Sequence, residues 1–252
     1  MIVDYPAPAQ APMLRALWKE AFADTDDFLN TFFHTGFHPR RCRCITEDGA
    51  VAAALYWFEA TCRGQRFAYV YAVATAKSRR GQGLFSALLA DTKRLLTDIG
   101  FDGILLVPET EALGRMYEKF GFFPCTSIWE QTVEAGAQKL PVRQISVDAY
   151  ALLRRQMLPE DAVVQEGEIL PLLAAQYHFW AGEGFLALGQ FDDGKLICRE
   201  FLGDERAMPG LLRTLEVRCG HFRTPGTQRP FAWLLPLQPH CMRPAYFGLA
   251  LD

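Results

Sequence analysis

Residues 67–85 set the tightest limit on the fold. The apolar run Phe67–Thr75, FAYVYAVAT, leads into Arg80-Gly81-Gln82-Gly83-Leu84, and an amphipathic stretch follows at once. A nearly continuous apolar run predicts a strand buried on both faces. Leu84, Leu88 and Leu95 fall near one stripe, with Phe85, Leu89 and Leu96 beside it. That spacing predicts a helix over 84–100, with Gly100 as its C-cap. Gly81 and Gly83 can adopt positive φ and let another molecule approach the backbone closely. The first N–H groups of the helix have no internal partners and sit at the positive end of its dipole, so strand, turn and helix start together suit an anion. The dipole alone contributes only ~0.3–1 kcal/mol at an exposed site. Several amides and a cation must therefore act together, and Arg79 and Arg80 stand beside the turn. A Gly-x-Gly by itself needs to be no more than a tight turn. Two other phosphate motifs are missing: there is no Gly-Lys-Ser/Thr loop and no Gly-x-Gly-x-x-Gly with an acidic partner.

The flanking sequence supplies the rest of an α/β pattern. Residues 11–23 and 26–34 read as helices, the second starting on an acidic Asp-Thr-Asp-Asp cluster. Residues 41–46 and 50–61 read as strands joined at Asp48-Gly49. After the first long helix come a buried strand at 101–107 and a helix at 110–120, in which Leu113, Met116, Tyr117 and Phe120 share helical spacing. Extended segments then run to Glu134. The polar stretch 134–139, followed by Pro141, reads as a linker. It divides the chain into domains 1–138 and 139–252. The second half places a helix at 147–157, strands at 184–190 and 195–202, a helix at 205–219, and strands at 230–237 and 246–251. This order matches part of the first half and suggests a weak internal duplication.

Bulk properties narrow the function classes. The chain has 252 residues, half of them hydrophobic, and a formal net charge of −3. No basic excess points to a nucleic-acid partner, and no run of 18 apolar residues predicts a membrane span. The N-terminus MIVDYPAPAQAP lacks the pattern of a secretory signal. Seven scattered cysteines without a Cys-x-x-Cys fit free thiols in a reducing cytoplasm. Cys42 and Cys44 would share one face of a strand, which suits packing better than a metal, and no metal is expected.

Arg80-Gly81-Gln82-Gly83-Leu84-Phe85 after an apolar strand, with Tyr117-Glu-Lys-Phe-Gly121-Phe122 some thirty residues later, resembles the GNAT N-acetyltransferase superfamily over roughly the first 135 residues. Two positions depart from its pattern. Phe85 stands where glycine or alanine is usual, and Thr110 where many members carry asparagine. The resemblance implies an α/β (α+β) fold with a mixed, mostly antiparallel central sheet flanked by helices, here in two tandem domains. It implies acetyl-coenzyme A as co-substrate, with the backbone of Val73, Ala74 and Thr75 pairing with the pantetheine arm like an added strand. The amides of Gly81, Gln82, Gly83, Leu84 and Phe85, with Arg80, would take the pyrophosphate. The acceptor would be a small-molecule or peptide amine, attacked directly in a ternary complex. A non-catalytic acyl-coenzyme A-binding regulator is the competing expectation.

The chemistry sets further demands. A lysine-like amine has a pKa near ~10.4, so neutralising it at pH 7 costs about 4–5 kcal/mol. The leaving thiolate needs a proton, and Tyr117 is the candidate acid by its match to the family tyrosine; as a residue on a helix face it also fits a core position. Strand 67–75 contains no acidic residue. Glu109 and the terminal Asp252 are candidate bases, although a solvated loop charge and a frayed end explain them as well. Trp57, Phe58, Phe32 and Phe33 are candidate walls of an acceptor pocket or simply core. Asp24, Asp26 and Asp27 can attract a cationic amine or cap a helix. In the second half, Asp204 and Glu205 stand where phosphate would bind, which opposes it. That half is expected to be a degenerate GNAT-like or other small α/β domain. It would cover the acceptor cleft or form a subunit interface, as in a homodimer.

Overall fold

A computed structural model describes residues 2–251. In chain order the regular elements are β1 (Val3–Asp4), α1 (Ala11–Phe22), α2 (Asp26–Thr31), β2 (Cys42–Glu47), β3 (Ala50–Cys62), β4 (Gln65–Thr75), α3 (Leu84–Asp98), β5 (Gly103–Leu106), α4 (Glu111–Glu118), β6 (Phe123–Pro124), β7 (Ser127–Glu134), β8 (Val142–Gln144), α5 (Val147–Met157), β9 (Val164–Gln165), α6 (Ile169–Gln176), β10 (His178–Gly182), β11 (Phe185–Asp192), β12 (Lys195–Gly203), α7 (Met208–Thr214), β13 (Cys219–Pro225), β14 (Arg229–Pro230) and β15 (Trp233–Pro236). The result is two mostly antiparallel sheets flanked by helices. The chain forms two compact units. The first holds the chain up to Leu106 together with Leu234–Met242, and the second holds Val107–Trp233 and the chain from Arg243 onward. No helix among the described residues is long and apolar enough to cross a membrane.

In the first unit the strands follow the order β1-β2-β3-β4-β5-β15. Neighbours from β1 to β4 are antiparallel, and β4 and β5 are parallel. Two tight hairpins drive this. Asp48 and Gly49 take φ of 49° and 79°, and Arg63 and Gly64 take 46° and 77°, the paired left-handed geometry that matches strand twist. The parallel pair needs a crossover, and α3 supplies it. Helices α1 and α2 bury an aromatic cluster on one face of the sheet. The Trp18 ring lies 4.4 Å from Phe32, 5.0 Å from Tyr56 and 5.6 Å from Tyr71. Helix α2 stops at Thr31, and residues 32–36 form a π turn instead of continuing the helix to 34. Strand β15 packs against a glycine of its neighbour β5. A β-carbon on Gly103 would stand 2.8 Å from Leu234 Cδ1 and 3.0 Å from both Cys241 Sγ and Phe67 Cδ1. The segment is tied down by Leu237 N–H donating to Asp102 O at 2.8 Å and Met242 N–H donating to Gln65 Oε1 at 2.7 Å.

In the second unit the order is β14-β7-β13-β12-β11-β10-β8. Strands β12 and β13 are parallel, with α7 between them in sequence, and an extra residue, Arg199, interrupts the register of β11 with β12. This repeats β3, β4, α3 and β5 in topology. Each sheet also contains a strand from the other half of the sequence. Strand β7 pairs with β13 from Glu134↔Cys219 to Ile128↔Pro225, as β15 lies beside β5. The polar stretch after β7 is not a free linker. Ala135 N–H donates to Arg218 O at 2.8 Å, Gly136 N–H to Pro209 O at 2.9 Å, and Leu140 N–H to Thr214 Oγ1 at 2.9 Å. Composition marks it as polar because its side chains are solvated while its backbone is bonded.

Two further expectations fail in this half. Residues 246–251 form no regular strand; the segment is held by a single bridge between Ala162 and Tyr246 and by Gln165, which bonds Leu249 in both directions. Helix α6 is not among the elements expected from the sequence, and it contains Pro171. The proline occupies the first turn, where no N–H is required. At the centre of the unit Glu200 is fully buried, and Arg154 donates to it from Nε at 2.6 Å and Nη2 at 2.8 Å. The hydroxyls of Tyr150 and Tyr246 donate to the same carboxylate at 2.6 and 3.0 Å. Every carboxylate oxygen is thus paired, which is what makes a buried charge tolerable.

Candidate functional site

The first unit carries the strand, turn and helix start. Strand β4 is not buried throughout, contrary to what its composition predicts. Phe67–Val70 and Ala74 are buried, whereas Tyr71, Ala72, Val73 and Thr75 are half-buried. The cause is a bulge. Ala54 pairs with Ala74 and Tyr56 with Tyr71, so Ala72 and Val73 together oppose Leu55. Ala72 takes φ of 52°, a left-handed conformation uncommon for a residue with a β-carbon. A bulge bends the strand and re-aims its backbone. Strand β4 also outruns its parallel neighbour. Tyr69 pairs with Leu105, and β5 ends at Leu106, so Tyr71–Thr75 continue past it.

Beyond β4 the chain turns through residues 77–79 and extends at Arg80. Gly81 and Gly83 take φ of 78° and 80°, and a β-carbon at either would meet nothing within 4 Å. Backbone conformation, not crowding, therefore requires glycine here, and the space above the turn is open. Gly83 is the N-cap of α3 and has no side chain to satisfy the first amides. Ala87 N–H is the amide that bonds back to Gly83 O, at 3.0 Å. The two arginines separate. Arg79 pairs with Asp48 and lies 3.8 Å from Glu47. Arg80 is exposed, makes no ion pair among the described residues, and donates from Nε to Thr75 O at 3.3 Å. Arg80 alone therefore offers an uncompensated charge beside the turn. Phe85 is half-buried on the first turn of α3. The candidates from Val73 to Phe85 thus lie together in one unit.

Tyr117 belongs to the second unit. Helix α4 starts at Thr110, whose hydroxyl accepts from Leu113 N–H at 3.2 Å; the residue that departs from the family pattern is an effective N-cap. Tyr117 is 8% exposed and meets Phe122 edge-on at 5.4 Å. Burial pushes its phenol up to about 12, so it holds its proton throughout the neutral range. Gly114, one turn earlier, is buried with it. A β-carbon on Gly114 would stand 2.8 Å from Trp233 Cζ2 and 3.1 Å from Cη2. Sequence reasoning passed over this contact; the one available signal was a glycine inside a helical pattern.

The remaining candidates sort on geometry. Glu109 is an exposed loop residue, and Asp252 lies outside the described residues. Phe32, Phe33 and Phe58 join the aromatic cluster around Trp18. Trp57, next to Phe58 along β3, faces the other side of the sheet. Asp24 accepts from Trp18 Nε1 at 2.8 Å, and Asp26 is bound to Lys19 at 2.7 Å, so packing explains both. In the second unit Asp204 accepts from Arg206 N–H at 3.0 Å and holds its guanidinium at 2.7 Å. The acidic turn before α7 is filled by its own arginine. Cys42 and Cys44 are both buried, and burial pushes the Cys44 thiol up to about 11.

Residues 6–125 match the acetyltransferase (GNAT) domain family. Several solved structures share the fold across nearly the whole chain. A probable N-acyltransferase from Enterococcus faecalis V583 superposes with a TM-score of 0.73 at 14% identity, covering 94% of this chain and 72% of its own. A GCN5-related N-acetyltransferase from Anabaena variabilis ATCC 29413 gives 0.73 at 14%, covering 94% and 73%. A putative acetyltransferase from Pyrococcus horikoshii gives 0.62 at 15%, covering 98% and 93%. No curated protein matches the sequence. Over residues 6–125 the chain is thus similar to the GNAT acetyltransferase domain family.

Proposed function

We propose that the protein transfers an acetyl group from acetyl-coenzyme A to a primary amine, on a small molecule or a peptide, in a ternary complex. The observation that carries this reading is the continuous path from the bulged, half-buried end of β4 to the open, left-handed Gly81–Gly83 turn at the uncapped start of α3. The stretch Val73–Thr75, which runs past the end of β5, suits an extended pantetheine arm, which would add to the strand edge. The amides from Gly81 to Phe85 and the unpaired Arg80 suit a pyrophosphate. The neutral amine attacks the thioester carbon, a C–N bond forms, and the oxygen of the tetrahedral intermediate takes the charge. Backbone N–H groups of the bulged strand are suited to hold that oxygen. The C–S bond then breaks, Tyr117 gives its proton to the coenzyme A thiolate, and the proton lost from the acceptor nitrogen returns through solvent to the Tyr117 phenolate. The buried phenol holds its proton at neutral pH.

The test is acetyl-coenzyme A-dependent thiol release across a panel of small and peptide amines, read beside a melting curve. Turnover of an amine supports the reading. Coenzyme A at about a hundred times its Kd should stabilise the protein by ~2.7 kcal/mol. A shift of that size with no amine turned over would favour the acyl-coenzyme A-binding regulator. No shift would overturn the cradle itself.

A further inference from the structure

Gly114 sits in the middle of α4 with nothing in its own backbone to require glycine. It is helical, and positive φ occurs elsewhere in the chain. Glycine in a helix interior costs about 1 kcal/mol relative to alanine, so its place here has to be explained by what lies against it. That neighbour is the Trp233 ring, whose Cζ2, Cη2 and Cε2 atoms would lie 2.8, 3.1 and 3.6 Å from a β-carbon at this position. Contacts of 2.8 Å cannot be absorbed by a rigid indole without moving the helix or the ring. Gly114 and Tyr117 are three residues apart and are the buried residues of α4, so they share one face of the helix. The depth at which the indole meets Gly114 therefore fixes the depth of the Tyr117 ring. Trp233 begins β15, and the next residue, Leu234, packs on Gly103 of β5.

We propose that Trp233 is a positioning residue for acetyl transfer, acting through its contact with Gly114 to set the Tyr117 hydroxyl. The inference rests on the role of Tyr117 given above. Gly114→Ala adds a methyl group where the indole lies, and Trp233→Phe removes the ring atoms that reach Gly114. Each is expected to lower kcat at least tenfold, on whichever amine of the panel is turned over fastest, with KM for acetyl-coenzyme A changed less than twofold. Combining them puts a methyl group into the space vacated by the indole, and the double variant should recover most of the lost kcat. A purely structural contact would lower the melting temperature without this split between kcat and KM and without the rescue. Independently of any acceptor, the ¹³C-labelled Tyr117 ring resonance should move in both single variants and return in the double. Tyr117→Phe is run in parallel. An unchanged kcat in that variant removes Tyr117 from the mechanism and this inference with it. A reduced kcat for Tyr117→Phe, beside wild-type kcat in both single variants, overturns the positioning role alone. A Tyr117 resonance unmoved in both singles overturns it as well.

Discussion

Tyr117 and Gly83 carry the most direct residue-level consequences. Tyr117→Phe should lower kcat about 10²-fold or more, the scale of a positioned acid, while coenzyme A affinity stays near wild type; steady-state kinetics and a binding titration check both. The same phenol makes a stability prediction. Burial raises its pKa from 10.0 to about 12, so folding favours the protonated form. That contribution is complete below pH 10 and is lost as pH climbs through about 12, on the order of 2–3 kcal/mol. Tyr56, Tyr150 and Tyr246 are shifted upward by burial too, so the alkaline loss is cumulative. The urea midpoint should fall further between pH 9 and pH 11.5 for wild type than for Tyr117→Phe. At the turn, Gly83→Ala meets no steric obstacle but must hold φ near 80°. It should lose about 1–2 kcal/mol from backbone strain, a few degrees in melting temperature, and weaken coenzyme A binding. The glycines and Tyr117 were legible in the sequence because their residue types are constrained. Ala72 was not, since nothing about alanine announces a left-handed bulge residue.

Among the elements, the hairpins and long helices followed from local pattern, while those shaped by packing did not. Helix α3 and α5 match their periodicity closely, and Asp48-Gly49 specifies its turn by itself. Strand β4 reads as uniformly buried because composition cannot register a bulge or the early end of β5. Helix α6, which contains Pro171, is not among the elements expected from the sequence, and the final segment reads as a strand although its backbone is tied to Gln165 and Val163 instead of a sheet. That segment depends on β12 through Glu200, which receives Tyr246, Tyr150 and Arg154. Gly248 lies so close to Glu200 Oε1 that no side chain fits there. Glu200→Ala leaves a buried guanidinium and two phenols without their acceptor, and should cost about 3–5 kcal/mol. The urea midpoint would fall accordingly; a midpoint within error of wild type would mean that the carboxylate holds nothing.

For the whole molecule, the exchanged strands matter more than the repeat. A cut after residue 138 looks natural from composition, but the fragment 1–138 keeps β7 without β13 and β5 without β15. Expressed alone, 1–138 should show no cooperative melting transition and no coenzyme A-induced shift; co-expression with 139–252 should restore both. A fragment that melts cooperatively would contradict this. The sequence did not disclose the exchange, because a strand's pattern specifies its burial and not its partner. The arrangement also has a timing consequence during synthesis. The first sheet cannot be completed until residues 107–233 have been made, which takes roughly 6–25 s at about 5–20 residues per second. Through that interval the free edge of β5 is a template for any other extended chain. A nascent chain of this protein is therefore exposed to mispairing for the time it takes to translate its second half, and relief comes with Leu234.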